Sequence, residues 1–114
     1  MPSFPAEILQ DVRSYLRSDL TKELCGVIFL YENYHFVPIP NSVDSAEMFS
    51  LPPQLYLLRD KVSAVVHSHP VSDAFPSDAD KSSSRFSGLP FLIYSCVYDN
   101  FLYFHNEKCN PIKV

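Results

Sequence analysis

Residues 62–80 have the sequence VSAVVHSHPVSDAFPSDAD, in which an apolar run leads into two histidines and then into a proline-containing loop. The run is rich in β-branched residues, which favour a strand, and we predict that strand over Val62–His67. Proline, serine and aspartate over residues 70–76 predict a loop. The segment Asp78–Phe86 then predicts a helix that ends at Ser87-Gly88, because glycine is common just beyond a helix C-terminus.

The rest of the chain adds helices and strands of mixed order. Apolar residues recur at helical spacing over residues 5–19, which predicts an amphipathic helix, and a short helix is predicted from Pro52 to Asp60 after a polar loop. Residues rich in β-formers predict strands at Leu24–Tyr31, Tyr34–Ile39 and Pro90–Val97, with Phe101–His105 as the last strand. We therefore expect an α/β (α+β) fold with a single mixed β-sheet flanked by helices, as one domain over residues 1–114.

Composition excludes several classes of protein. The chain is 46% apolar and 19% charged, as globular proteins are, and its net charge of −4 does not favour a nucleic-acid partner. The three cysteines form neither a disulfide framework nor a CxxC pair. The N-terminus does not resemble a signal peptide, and the longest apolar runs are too short for a membrane span. We expect a soluble cytoplasmic protein, or one of the host cytoplasm if it is phage-encoded.

The two histidines form a candidate metal site. His67 and His69 stand at positions i and i+2 near the strand end, so both side chains point to the same face of the sheet. Their imidazoles can bind one ion at about 2.0–2.1 Å, the usual zinc–nitrogen distance. A catalytic zinc needs a third protein ligand and one position for water. Asp80 is the best candidate for that ligand, while Asp73 and Asp78 are weaker because loop and cap roles explain them.

Ordinary structural roles explain each of these residues taken alone. An isolated His-x-His pair is more often a surface feature than a pair of ligands. The segment Ser77-Asp78-Ala79-Asp80 also fits a capping box, in which Ser77 caps the helix and Asp80 reaches back to it. The metal site is favoured by the joint occurrence of His-Ser-His-Pro, six residues and then Ser-x-x-Asp in a chain with four histidines.

The sequence resembles a known family. His67-Ser68-His69-Pro70 followed by Ser77 and Asp80 resembles the signature of the JAMM (MPN+) metalloproteases, and Glu23-Leu24-Cys25-Gly26 resembles their upstream glutamate element. The order of predicted elements is similar too, so the resemblance covers nearly the whole chain. Bacterial and phage members with Glu-x-Cys-Gly are the most similar, and they include the N-terminal domain of the lambda-type phage tail assembly protein K. The similarity to those members includes residues 37–41, Phe49 and Leu51.

The resemblance implies a zinc-dependent metallopeptidase or isopeptidase that hydrolyses an amide bond. It implies Zn²⁺ ligation by His67, His69 and Asp80, with Glu23 as the general base toward the attacking water and Ser77 as a hydroxyl that stabilises the oxyanion. The implied substrate is a protein or peptide, either a phage tail protein or a ubiquitin-fold protein. The segments with which eukaryotic members grip ubiquitin have no room in this chain, which argues against ubiquitin specificity.

Other interpretations remain beside this one. A zinc nucleobase deaminase needs His-x-Glu and then Pro-Cys-x-x-Cys, which the chain lacks. A three-histidine hydratase would need His35 or His105 as its third ligand. Glu23 alone, next to Lys22, would be interpreted as a solvated acid, and Cys25 as a small packed residue. The alternative function from a different class is a structural component of a phage tail tip, in which a zinc site has little or no turnover.

Overall fold

The computed structural model describes residues 3–39 and 58–112. The elements of these residues follow in the order α1 (Ala6–Leu16), β1 (Cys25–Tyr31), β2 (Asn33–Ile39), β3 (Val62–His69), α2 (Asp78–Ser87), β4 (Phe91–Ser95), β5 (Asn100–His105) and β6 (Lys108–Ile112). The strands form one sheet in the order β2-β1-β3-β4-β5-β6. Strands β3 and β4 are parallel, and the other neighbours are antiparallel. The predicted single mixed sheet is confirmed.

Helix α1 covers one face of the sheet. Its buried residues Leu9, Val12 and Leu16 recur at helical spacing, and they pack with Ile28 of β1 and Val66 of β3 in one apolar cluster. Burial of each such side chain contributes about 1.5–3 kcal/mol. The predicted helix over residues 5–19 is too long, because the chain leaves the helix after Leu16, where the backbone N–H of Ser18 donates to the Tyr15 carbonyl at 3.0 Å.

Helix α2 lies over the opposite face. Ala74 and Leu89, which flank this helix in the sequence, pack with Val65, Phe91 and further apolar residues of that face. The helix ends one residue later than predicted, and Gly88 follows it with the left-handed φ of 71° that favours glycine. Each face of the sheet therefore has its own apolar core and its own helix.

The C-terminal part of the sheet differs from the prediction. Phe101–His105 is not the last strand, because β6 follows and pairs with β5 across the residues Asn106 and Glu107. Both have left-handed φ angles, 53° and 65°, as in a type I′ hairpin turn. Strand β4 also ends at Ser95 and not at Val97, because a turn over residues 96–99 is closed by a 2.9 Å bond from the Asp99 N–H to the Ser95 carbonyl.

The predicted loop over Asn41–Ser50 lies outside the described residues, as does most of the predicted helix from Pro52 to Asp60. Residues 58–61, at the end of that range, form a 3₁₀ turn. Neither helix of the described residues is long and apolar enough to cross a membrane.

Candidate metal centre

Strand β3 places both histidines on the face of the sheet that carries α2. The strand extends through His69, two residues beyond its predicted end, and His67 packs edge-on against the ring of Phe91 with ring centroids 5.4 Å apart. Both histidines are buried, at 0% and 5% exposure. Side chains alternate along a strand, so Ser68 between them points to the other face. The two imidazole rings lie side by side, with their centroids 5.1 Å apart.

Asp80 joins the two histidines from the first turn of α2. Its Oδ1 lies 3.1 Å from Nε2 of His67, and its Oδ2 lies 3.0 Å from Nε2 of His69. The carboxylate is 3% exposed and also accepts a 2.9 Å hydrogen bond from the backbone N–H of Ser77. The loop between β3 and α2 therefore brings the end of the strand and the start of the helix together at a single buried point.

The three side chains suit a metal ion with nitrogen and oxygen ligands. One ligand atom from each of His67, His69 and Asp80 lies within 4.8 Å of the others, and among the described residues this is the one group of three or more such side chains that can hold an ion. In a tetrahedral zinc site with bonds of about 2.0–2.1 Å, neighbouring ligand atoms are about 3.3 Å apart. The Nε2 atoms of His67 and His69 lie 3.1 and 3.0 Å from the two oxygens of the Asp80 carboxylate, so the three side chains are close enough to bind one such ion.

A backbone carbonyl fixes the orientation of His69. Its Nδ1 lies 2.7 Å from the carbonyl oxygen of Asp73, and because a carbonyl can only accept, Nδ1 must carry the proton. Nε2 is then the nitrogen that faces Asp80 and that can bind a metal. Such contacts orient metal-binding histidines and fix their tautomer in many proteins. Asp73 thus contributes through its backbone, and its side chain instead accepts a 3.1 Å bond from the Phe75 N–H within the loop.

Burial and mutual contacts shift the pKa values of all three side chains of the cluster. Burial lowers the pKa of His67, although Asp80 opposes the effect. Burial also acts to lower the pKa of His69, but the hydrogen bonds to Asp80 and to the Asp73 carbonyl outweigh it and raise that pKa. The two imidazoles hold the pKa of Asp80 well below its usual range despite its burial. A divalent cation that replaces protons between these groups would satisfy all three ligands.

Glu23 lies just before β1, on the same face as the histidines. It is 2% exposed, so the interpretation as a solvated acid is wrong. Cys25 pairs with His67 across β1 and β3, and the alternation of side chains puts Glu23 on the Cys25 side of the sheet. The charge of Glu23 also contributes to the raised pKa of His69, so the carboxylate lies within electrostatic reach of the cluster.

Ser68 holds the backbone of Leu24, the residue next to Glu23. The Ser68 N–H donates to the Leu24 carbonyl at 3.0 Å, and the Leu24 N–H donates to the Ser68 hydroxyl, also at 3.0 Å. Ser68 is fully buried. The serine between the two histidines therefore ties the segment with Glu23 to the strand that carries the candidate metal ligands.

Ser77 forms the predicted capping box with Asp80. Its hydroxyl accepts a 3.1 Å hydrogen bond from the Asp80 N–H, while its own N–H donates to the Asp80 carboxylate. The Ser77 side chain is exposed. An accepted bond uses a lone pair of the hydroxyl and not its proton, so the same group can also donate. Ser77 thus both positions Asp80 and presents a donor beside the cluster.

The other candidates lie outside the cluster. Asp78 is an exposed residue of the first turn of α2, His35 is exposed on β2, and His105 lies at the end of β5. None of the three belongs to the group of ligand atoms that converges among residues 3–39 and 58–112. Cys25 is fully buried, and burial together with the charge of Glu23 raises the pKa of its thiol to about 11. These positions do not support a three-histidine site or a cysteine nucleophile.

Comparison with known proteins agrees with this geometry. The family model for prokaryotic homologs of the JAB domain matches residues 5–107. The solution structure of protein DSY2949 from Desulfitobacterium hafniense superimposes with a TM-score of 0.73 at 22% sequence identity, over 99% of this chain and 90% of the other. This likeness shows a shared fold. No curated protein matches the sequence, and a particular closeness to phage tail proteins is not shown.

Proposed function

The chain belongs to the family of prokaryotic homologs of the JAB domain, and from this premise we propose that it is a zinc metallopeptidase or isopeptidase. The observation that carries the proposal is the convergence of His67, His69 and Asp80 at one buried point, with the buried carboxylate of Glu23 on the same face of the sheet. Titratable groups with perturbed pKa values that gather at one place are typical of catalytic sites.

Zinc is the metal that we propose for this cluster. Two imidazole nitrogens and one carboxylate are a ligand set found in catalytic zinc sites, whereas magnesium and calcium prefer oxygen ligands alone. Zinc bound there would supply a Lewis acid that polarises the substrate carbonyl and lowers the pKa of water toward about 7. The protein supplies the fixed geometry, because one ligand pair lies on a central strand and the third ligand lies on a capped helix turn.

Glu23 is the proposed general base. Its carboxylate would accept a proton from the attacking water and deliver it to the nitrogen of the leaving amine. A carboxylate can accept a proton and then donate it, so it suits both steps, and the Glu23 carboxylate lies buried within electrostatic reach of the cluster. The contacts of Ser68 with Leu24 hold the adjacent backbone and so support the position of the carboxylate.

Ser77 is proposed to stabilise the charge that develops on the substrate carbonyl oxygen. Its hydroxyl is fixed by the bond it accepts from the Asp80 N–H, which leaves its proton for donation to that oxygen. The proposed substrate is a protein or a peptide. The similarity of residues 37–41 to phage members of the family supports a phage tail protein, and the family resemblance as a whole supports a ubiquitin-fold protein as the other candidate.

Hydrolysis of candidate peptides and ubiquitin-fold fusions by the zinc-loaded protein tests this function. We expect activity that a chelator removes and zinc restores. Glu23→Gln should lower kcat by a factor of about 10²–10⁴, the usual contribution of general acid–base catalysis, while zinc content stays at the wild-type level. The exposed Glu7 offers a matched control, since Glu7→Gln should leave both quantities unchanged.

Two results would contradict the proposal. Full activity in Glu23→Gln would remove that residue from the mechanism. Zinc binding without hydrolysis of any candidate substrate would instead favour the structural alternative, in which the metal supports the fold.

A further inference from the structure

Ser95 lies beside the candidate metal centre, at the end of β4. Its Cα pairs with that of His69 in the parallel β3–β4 ladder, and its side chain is fully buried. Alternation along β4 puts Ser95 on the same face as Phe91 and Ile93, which is the face of the two metal-binding histidines. Because its neighbours Phe91 and Ile93 on this face are apolar, a hydroxyl here calls for a specific explanation.

The Ser95 hydroxyl connects the two loops that follow β3 and β4. It donates to the carbonyl oxygen of Ser72 at 2.7 Å and accepts from the backbone N–H of Tyr98 at 3.1 Å. The first partner belongs to the loop between β3 and α2, and the second belongs to the turn between β4 and β5. Both bonds end on backbone atoms, so the serine fixes the course of the main chain in each loop.

The bond to Ser72 bears directly on His69. The next carbonyl along the chain, that of Asp73, is the acceptor that holds Nδ1 of the His69 ring at 2.7 Å. The backbone of His69 is tied to the same strand end, because its carbonyl accepts a 3.1 Å bond from the Cys96 N–H. Thus Ser95 holds the peptide unit that precedes the acceptor, and the acceptor holds the imidazole.

We propose that Ser95 is a positioning residue for the metal centre, which fixes the Asp73 carbonyl and through it the tautomer and orientation of His69. The inference rests on the metal site of the proposed function and not on peptide hydrolysis. Partners beyond the ligands themselves commonly change metal affinity by factors of about 10–100. Ser95 does not contact His69 directly but acts through the Asp73 carbonyl, so we expect a change in metal affinity at the lower end of that range.

Ser84 provides a matched control for a purely structural effect. It is also buried, at 5% exposure, and its hydroxyl donates to a backbone carbonyl, that of Leu89, at 2.9 Å. That bond joins α2 to Leu89, just beyond the helix C-terminus, and does not involve the loop that carries the Asp73 carbonyl. Ser84→Ala and Ser95→Ala therefore remove similar hydrogen bonds, but only Ser95→Ala removes one next to the support of His69.

The test measures zinc affinity by competition with a chelator and the His69 ring by NMR of the metal-free protein. In Ser95→Ala the zinc dissociation constant should rise about tenfold, whereas in Ser84→Ala it should stay within a factor of about two of wild type. In metal-free wild type and Ser84→Ala, the Nδ1–H proton of His69 should be protected from exchange with water. In Ser95→Ala this resonance should broaden or vanish.

An unchanged dissociation constant and an unchanged Nδ1–H resonance in Ser95→Ala would overturn the inference, as would equal changes in both variants. The NMR measurement needs no metal and no substrate. If wild type failed to bind zinc while the Nδ1–H resonance still depended on Ser95, the proposed function would fail and the positioning of His69 by Ser95 would stand. If zinc affinity behaved as expected but no substrate were hydrolysed, only the peptidase proposal would fail.

Discussion

Position 26, in the Glu-x-Cys-Gly element, has no room for a side chain larger than that of glycine, and a single substitution tests this. A Cβ atom at this position would lie 2.6 Å from Cε1 of Phe36 and 2.8 Å from the carbonyl oxygen of Val37. The Phe36 ring packs edge-on against Tyr15 of α1, with centroids 5.8 Å apart, and the Val37 oxygen belongs to the backbone of the paired strand. Neither group can rotate away freely, so Gly26→Ala must displace β2 relative to β1.

The size of the effect follows from two opposing contributions. Forcing an extra carbon into a packed site costs about 1–3 kcal/mol. Replacement of glycine by alanine inside a strand returns about 0.5–1 kcal/mol, because the unfolded chain loses freedom. Two contacts below 3.0 Å place the steric cost at about 2–3 kcal/mol. The net loss of unfolding free energy should then be about 1–2.5 kcal/mol, which for a domain of this size lowers the melting temperature by about 4–10 °C.

Urea unfolding followed by circular dichroism measures this loss, and a double-mutant cycle assigns its cause. In a Phe36→Leu background the added Cβ atom no longer contacts an aromatic ring, so Gly26→Ala should cost less unfolding free energy. Part of the cost should remain, because the Cβ atom still lies close to the Val37 carbonyl oxygen. Gly88 is the control, because its φ of 71° makes Gly88→Ala strained while nothing lies within 4 Å of the added carbon. Its penalty should be the same in both backgrounds.

The reasoning would be refuted if Gly26→Ala unfolded within about 0.5 kcal/mol of wild type, the usual range for substitutions without a steric cause. It would also be refuted if the penalty were equal with and without the Phe36 ring. Either result would mean that β1 and β2 do not pair in the register that sets Gly26 opposite Pro38.

Two further predictions concern groups with shifted pKa values. Burial and the charge of Glu23 raise the pKa of the Cys25 thiol to about 11. Alkylation at about pH 8 followed by mass spectrometry should therefore label the exposed Cys109 much faster than Cys25. Equal rates would show that Cys25 is accessible. The hydrogen bonds from Arg13, and next from the Tyr94 hydroxyl, hold the pKa of Asp99 well below its usual range. A lowered pKa stabilises the fold above the unfolded value of about 3.9, and this contribution disappears as the pH falls further. Asp99→Asn should therefore lower the urea midpoint of unfolding slightly near neutral pH, and by a smaller amount near about pH 3. An equal decrease at both pH values would show that the charge of Asp99 does not cause the stabilisation.

The convergence of the three candidate metal ligands could be predicted from the sequence because their geometry is local. The strand period of two puts His67 and His69 on one face whatever the rest of the fold does. The Ser77 capping box places Asp80 at the start of a helix, and the loop between strand and helix is short enough to close the triangle. These features depend on spacing, which a sequence shows directly.

The parts that could not be predicted depend on contacts between distant segments. The burial of Glu23 follows from the pairing of β1 with β3 and from the Ser68 hydroxyl. Strand β6 was missed because Asn106 and Glu107 form its turn without a glycine, and because Pro111 weakens the strand signal. The role of the Asp73 carbonyl has no sequence signal, since every residue has a carbonyl.

The position of Glu23 favours a catalytic site over a structural one. A structural zinc site is closed by four protein ligands, whereas within the described residues the cluster offers three. A second carboxylate, that of Glu23, lies buried near them, and the burial of a charged group costs several kcal/mol. Proteins accept such costs mainly where chemistry requires the group. Glu23→Gln should then lower kcat by about 10²–10⁴ without loss of stability, whereas a purely structural Glu23 would make the same variant less stable.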